Sequence, residues 1–387
     1  MSSQRLTICH LIQSLHTGGA EVLATRIVRR LQDTHRLFFV CLEDPGELGE
    51  QVRAEGFPVI ALNKPPGVDL ATAWRLRRLL QSERADLVHA HFWGSFFYAA
   101  LARWPGHAPA VLFMDHGWVS AVPDFRKEYW ANRFLFRRND RAVGVSEPVY
   151  RSLIERRGFP PARTALIPNG IDLSAFHPDG PERAAVRAEL NIGPDDLVLI
   201  QVARLDPIKN HPLAIRALEL VRQRQPDARL VVVGDGPERN ALAALARDRG
   251  LEQHVLMLGM RGDVSRLLQA ADIVLLTSTS EGMPLSLIEG MATGLPVVAT
   301  NVGGIPQVVR AGETGLLVPS DDAGALAERV LELATAPEHR AQLGQAGRAR
   351  ARAKFSEDHM VATYDRMYRE MAAPAQSAPG RTFAGAR

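Results

Sequence analysis

Cysteine is nearly missing from this 387-residue chain, which carries only Cys9 and Cys41. The two form neither a C-x-x-C pair nor a metal-ligand spacing, and both sit in apolar, strand-like runs. A disulfide scaffold and a small zinc module are therefore excluded, and buried reduced thiols are expected. No run of 18 apolar residues occurs, so there is no candidate membrane span. The first twelve residues also lack the apolar stretch of a secretory signal, because His10 interrupts them. A cytoplasmic protein is expected. Charge of one sign is scarce too, since 46 Lys+Arg oppose 43 Asp+Glu to leave +3. That balance implies no polyanion-binding surface and no nucleic-acid partner. There is no D-x-D triplet, no G-x-G-x-x-G and no Walker loop.

What is present is the composition of a folded protein, 46% hydrophobic and 23% charged. The length suits two domains of ordinary size better than one. Short continuous apolar runs at 6–12, 37–41, 59–62, 87–90, 110–113, 142–145 and 165–167 alternate with helical stretches such as 21–31, Leu70–Ser82 and 147–157, the last with Ser146 as a candidate N-cap. The scheme repeats at 197–202, 230–233, 255–258, Ile273–Leu276, 296–299 and 315–318. Unbroken apolar runs indicate strands covered on both faces, as in a parallel sheet. Residues 167–181 between the halves are rich in turn formers and read as the linker. The expected fold is α/β, two facing Rossmann-like doubly wound domains with an interdomain cleft, where ligands bind at the carboxyl ends of strands. Residues 1–172 would form the first domain and 173–356 the second, with 373–387, rich in Ala, Pro, Gly and Ser, as a disordered tail.

Three segments carry the chemistry. Residues 280–294 read Ser-Glu-Gly-Met-Pro-Leu-Ser-Leu-Ile-Glu-Gly-Met-Ala-Thr-Gly, placing Glu281 just ahead of a helix and Glu289 on its body. Pro284 suits the first helical turn and Gly294 the exit. Eight helical residues rise about 12 Å, roughly the length of a sugar joined through two phosphates to a ribose. The amides near Gly282, Leu285 and Ser286 would offer an anion the positive end of the helix dipole. Spacing alone reads more readily as two ordinary dipole complements than as a site. The second segment, after the strand at 197–202, supplies Arg204 and Lys209, two cations for a departing diphosphate with no metal needed; alone they would read as a solvated loop. The third, Gly18-Gly19 before a helix, permits close approach of backbone to a phosphate or sugar, or simply tight packing.

Together these segments resemble the retaining nucleotide-sugar glycosyltransferases of family 4, which have the two-Rossmann GT-B fold. The resemblance runs from Gly18-Gly19 to about Met371. It is carried by the E-x7-E signature Glu281 to Glu289, the following Gly-Leu-Pro-Val-Val-Ala-Thr and Gly303-Gly304, the Arg204 and Lys209 pair, and Ile-Pro-Asn-Gly-Ile-Asp at 167–172. It implies a metal-independent hexosyltransferase that needs no cofactor and uses an NDP-sugar as substrate, UDP being commoner than GDP. The acceptor would be a glycan or a polyprenyl-linked glycan. Glu289 would bind the ribose, Glu281 the donor sugar, and Arg204 and Lys209 the diphosphate, helped by amides at Gly282, Met283, Pro284 and Leu285. Of these four Pro284 has no amide hydrogen and can only line the site. His116 matches the histidine placed over the donor sugar, and the base would lie near Gly259 to Arg261, contacted mostly through backbone. The first domain would bind the acceptor, through loops near 94–98 and 118–125, and helix 357–371 would pack back on it. Catalysis would then rest on positioning and leaving-group stabilisation, with no carboxylate nucleophile.

Other features read more plainly. His89 and His91 share one face of a strand, but no Asp, Glu or Cys completes a metal site. Residues 126–141 read as a basic, aromatic helix that could rest on anionic lipid at the inner face of the membrane, or merely be solvated. Within the same architecture a nucleotide-sugar epimerase or a phosphorylase is the rival activity. A non-catalytic nucleotide sensor is disfavoured because Glu281, Glu289, Arg204 and Lys209 are all retained.

Overall fold

The computed structural model describes residues 5–104, 109–117, 125–178 and 182–373. The first lobe contains β1 (Thr7–Ile12), β2 (Arg36–Cys41), β3 (Val59–Ala61), β4 (Leu87–His91), β5 (Ala110–Asp115), β6 (Arg141–Gly144) and β7 (Thr164–Leu166). The second contains β8 (Val198–Val202), β9 (Arg229–Val233), β10 (Val255–Met257), β11 (Ile273–Leu276), β12 (Val297–Thr300) and β13 (Leu316–Val318). Every apolar run read from the sequence is one of these strands, its ends shifted by at most two residues where the hydrogen-bonded ladder rather than the hydrophobic run sets the boundary.

The strands pair in parallel, in the order β3-β2-β1-β4-β5-β6-β7 in one sheet and β10-β9-β8-β11-β12-β13 in the other. Such strands need helices on both faces, which is why Ile8, Leu11, Leu199, Ile200, Val274 and Leu275 are all buried. In each sheet the strand order reverses at one point, between β1 and β4 and between β8 and β11, the places from which ligand-binding loops leave such sheets.

The chain crosses between lobes twice, side by side. Ile171 bridges to Ser356, its N–H donating to Phe355 O (2.9 Å) and its carbonyl accepting from Glu357 N (3.0 Å). The Glu357–Ala372 helix then lies against the Gly19–Leu31 helix and β4, where Tyr364 and Tyr368 are fully buried. One apolar cluster accordingly runs from Ile8 and Ile27 through Ile171 and Tyr364 to Val198 and Leu287, spanning both lobes. Cys9 and Cys41 are both free and buried, and burial raises both thiols above their ordinary range.

Three local expectations need correction. Residues 94–98, expected as an acceptor loop, lie instead within the Phe92–Ala102 helix, where Ser95, Phe96 and Tyr98 are buried. The basic helix ends at Leu135, so it spans Arg126–Leu135 and not 126–141. The chain turns there because buried Asp140 is drawn onto buried Arg103 (2.7 and 2.9 Å) and also accepts from the Val111 and Arg137 amides. Arg137 and Arg141 therefore lie off the helix. Ser146 stands at the N-cap of the Glu147–Glu155 helix, but its hydroxyl makes no capping bond. The Glu147 amide instead donates to Gln307 Oε1 of the second lobe (2.9 Å). Most of the expected acceptor loop 118–125, the end of the linker at 179–181 and the tail from 374 onwards lie outside the described residues.

Candidate active site

Five of the residues singled out from the sequence leave strands at the two reversal points. Gly18 and Gly19 follow β1 and open the Gly19–Leu31 helix; Arg204 and Lys209 follow β8; Glu281 follows β11. Thr277 and Thr279 tie the two loops of the second lobe together. Thr277, at the end of β11, donates to the carbonyls of Lys209 (3.0 Å) and Asn210 (2.9 Å), and the Thr279 amide donates to Ile208 O (2.8 Å). This brings the Lys209 ammonium to Glu281 Oε1 (2.6 Å), which also accepts from the Ser278 hydroxyl (2.6 Å). The pair is protected, since Glu281 is buried, and Lys209 is largely so.

The α-helical turn begins at Leu285, with Pro284 in extended backbone at the N-cap and not in the first turn. The 12 Å helical rise assumed from the sequence therefore does not apply, because residues 281–284 are loop. That loop is shaped by contacts. Gly304 N donates to Glu281 O (3.0 Å), and a Cβ on Gly304 would lie 1.7 Å from Gly282 O. From the linker, Asn169 Nδ2 donates to Met283 O (3.1 Å). Gly294, at the helix exit, has φ +84°.

Gly282 lies backbone against backbone on the first lobe. A Cβ there would stand 2.1 Å from His116 O, and one on Gly117 would stand 2.3 Å from Gly282 Cα. His116 and Glu281 are thus held across this seam by two backbones in contact, which only glycine allows. Gly282→Ala should push the lobes apart by an ångström or more. On that misplacement we expect kcat to fall about 100-fold while the protein stays folded, checked by steady-state kinetics beside circular dichroism.

Glu289 is buried on the Leu285–Ala292 helix and accepts from Arg26 Nη2 of the first lobe at 3.4 Å. Burial raises its carboxyl above the usual range, and Arg26 partly opposes that. Arg26 Nη1 is buried without a partner. Sequence reading missed Arg26, as nothing in the pattern of the Gly19–Leu31 helix marks it. It also missed Glu21, whose carboxyl is raised by burial and lowered by Arg204, an electrostatic link across the crevice from the Gly18-Gly19 turn to the cation loop. Arg204 itself is half-exposed and bound to Asp206 through Nε (2.6 Å) and Nη2. Arg261 is engaged elsewhere: its guanidinium is taken by Asp263 (2.7 Å) and Glu189 (3.1 Å), leaving only its backbone for the expected base contact.

His116 leaves the end of β5 half-buried and continues into the core as a chain. Its Nε2 lies 3.0 Å from His91 Nδ1, and His91 Nε2 lies 3.1 Å from His10 Nδ1. The pairing of His10 with His89 in the β1–β4 register supplies the third ring that the sequence reading of His89 and His91 lacked. Ligand atoms of His10, His89 and His91 lie within 4.8 Å of one another, close enough to grip one cation. No carboxylate acts on any of these three rings, so a divalent ion there would bring uncompensated charge into a fully buried site.

The chain matches two family models, Glycosyltransferase Family 4 over residues 17–175 and Glycosyl transferases group 1 over 182–350. It is 32% identical over 315 residues to the D-inositol 3-phosphate glycosyltransferase of Actinosynnema mirum, covering 76% of this chain and 75% of that one. It is 28% identical over 282 residues to the UDP-Gal:alpha-D-GlcNAc-diphosphoundecaprenol alpha-1,3-galactosyltransferase of Escherichia coli, covering 71% and 73%. Among solved structures, Anabaena Alr3699/HepE in complex with UDP superposes with a TM-score of 0.81 at 24% identity, over 93% of this chain and 99% of that one. The same protein with UDP-glucose gives 0.80. The two sheets and their helices are the GT-B fold of these neighbours.

Proposed function

The chain belongs to glycosyltransferase family 4, and on that premise we propose that it moves a hexose from an NDP-sugar to a glycan or polyprenyl-linked glycan, with retention and without a metal. The observation that carries this reading is the Lys209–Glu281–Ser278 cluster, with Gly282 packed on the His116 backbone across the seam and Glu289 on the body of the helix that follows. In it Glu281 binds hydroxyls of the donor sugar and Glu289 the ribose. Lys209 and Arg204, with the amides at Gly282, Met283 and Leu285, hold the diphosphate. The segment at Gly259 to Arg261 meets the base through its backbone.

As the acceptor oxygen bonds to the anomeric carbon, the bond to the phosphate oxygen breaks on the same face. The hydroxyl proton passes to that departing oxygen. Two cations and helix-start amides supply the charge that this step needs, so no general base is required. Residues 173–356 form the donor-binding lobe in this account, and 1–172 with the Glu357–Ala372 helix the acceptor lobe.

UDP is the favoured base, in keeping with UDP and UDP-glucose in the Anabaena structures. A lipid-linked acceptor is in keeping with the name of the E. coli relative. It also suits the Arg126–Leu135 helix, where Trp130 and Phe134 are exposed beside Lys127 and Arg133. Among the described residues no helix is long and apolar enough to cross a membrane. In this reading contact with the inner face is peripheral and the enzyme works from the cytoplasm, in cell-surface polysaccharide or glycolipid synthesis.

Glu289→Ala is the test of the donor assignment. Losing a buried, charged acceptor should weaken UDP binding in calorimetry about 10- to 100-fold. Unchanged affinity would remove Glu289 from the site. Product analysis with radiolabelled UDP-sugars then separates transfer from epimerisation, since an epimerised free donor formed without acceptor would contradict transfer.

A further inference from the structure

We propose that His91 is a positioning residue that fixes the ring tautomer of His116, through a directed chain of imidazoles beginning at His10. The inference rests on the placement of His116 at the donor sugar given above.

The geometry is that of a hydrogen-bonded chain. His116 and His91 have ring centroids 5.3 Å apart and planes 21° apart; His91 and His10 have 5.4 Å and 24°. Rings so arranged lie nearly end to end in one plane, with facing nitrogens 3.0 and 3.1 Å apart. Burial pushes His10 down to about 3, and lowers His89, His91 and His116, so the rings are neutral and each carries one N–H. His91 must then donate to one neighbour and accept from the other, and the whole chain points one way.

The direction is set at the buried end. His10 Nε2 has no partner. If the chain ran inward, that atom would be an N–H buried without an acceptor; if it runs outward, it is only an unused lone pair, the less costly defect. Outward, His10 Nδ1–H donates to His91 Nε2, and His91 Nδ1–H donates to His116 Nε2. His116 is left with its proton on Nδ1, a donor ready for an oxygen of the bound sugar, and each bond polarises the next. His89 steadies the arrangement from the side: it stacks on His91 at 4.3 Å, and its Nδ1 is 2.7 Å from the Tyr368 hydroxyl of the Glu357–Ala372 helix.

The test is nitrogen NMR of the full chain labelled with 15N-histidine, followed by kinetics. In the wild type, His10, His91 and His116 should all appear as neutral Nδ1–H tautomers. An Nε2–H tautomer at His116 would overturn the proposal without any variant. His91→Phe should release His116 to a tautomer mixture and lower kcat roughly 10- to 100-fold, as removal of an orienting partner does, with donor KM within about threefold. His91→Asn, whose amide can still donate to His116, should restore Nδ1–H and part of kcat. Unaltered kcat in His91→Phe, or no rescue by His91→Asn, would overturn the role. So would joint shifts of His10, His89 and His91 on adding Zn2+, which would make the trio a metal centre. Calorimetry with UDP-glucose keeps the two readings apart: absence of binding to the wild type would refute the donor site, while the tautomers still decide the chain.

Discussion

Lys209→Ala should lower kcat by about 100- to 1,000-fold, the loss expected when one preorganised group is removed from charge that develops in the transition state. The side chain is held for that purpose: its loop is pinned by Thr277, and its ammonium bonds to Glu281 in a largely buried setting. Removing it also leaves Glu281 with Ser278 as its remaining side-chain donor. Arg204→Ala should do less, since Arg204 is half-exposed and already shared with Asp206. The comparison is read from kcat at saturating donor. A variant with unaltered kcat and raised KM would mean that Lys209 holds bound donor and transition state equally and does not act on the chemical step.

The second large effect is on stability in acid. A histidine kept neutral in the fold but free to protonate when unfolded makes the unfolded state the better proton binder. Its contribution is therefore lost as pH falls below the unfolded value near 6.5, and the loss continues down to the folded value. For His10 that window extends from about 6.5 to about 3, and His89 and His91 are likewise lowered well below the ordinary value by burial. Each contributes about 1.4 kcal/mol per pH unit, so the three remove roughly 4 kcal/mol per unit, against a total stability of about 5–15 kcal/mol. Urea melts at pH 7.5, 6.5, 6.0 and 5.5 should show stability falling steeply below 6.5, with three or more protons taken up on unfolding, because His116 and His211 are also lowered by burial. Constant stability down to pH 5 would mean that these rings are charged in the fold.

Much of the architecture is legible in the order of residues, because burial on both faces writes itself as unbroken runs such as Leu-Val-Val-Val before Gly234 or Ile-Val-Leu-Leu before Thr277. The donor side is legible for a related reason. Glu281, Gly282, Pro284 and Glu289 fall within one loop and helix, so their nearness follows from the chain itself, although the loop at 281–284 replaces the helical rise that the spacing suggested. Arg26, Asn169 and His10 are different. Arg26 reaches Glu289 across 263 positions, and Asn169 reaches Met283 across 114. His10 meets His91 only because β1 pairs with β4. No local pattern encodes such meetings. The early end of the Arg126–Leu135 helix was hidden likewise, since it depends on Asp140 finding Arg103 inside the fold.

A structure of the chain crystallised with UDP-glucose tests the central claim most directly. The account places the diphosphate within hydrogen-bond distance of Lys209 and Arg204, the hexose on Glu281 beside His116, and the ribose on Glu289 in place of, or beside, Arg26. Nucleotide bound anywhere else, or bound there with Glu281 and Lys209 still paired only to each other, would contradict it.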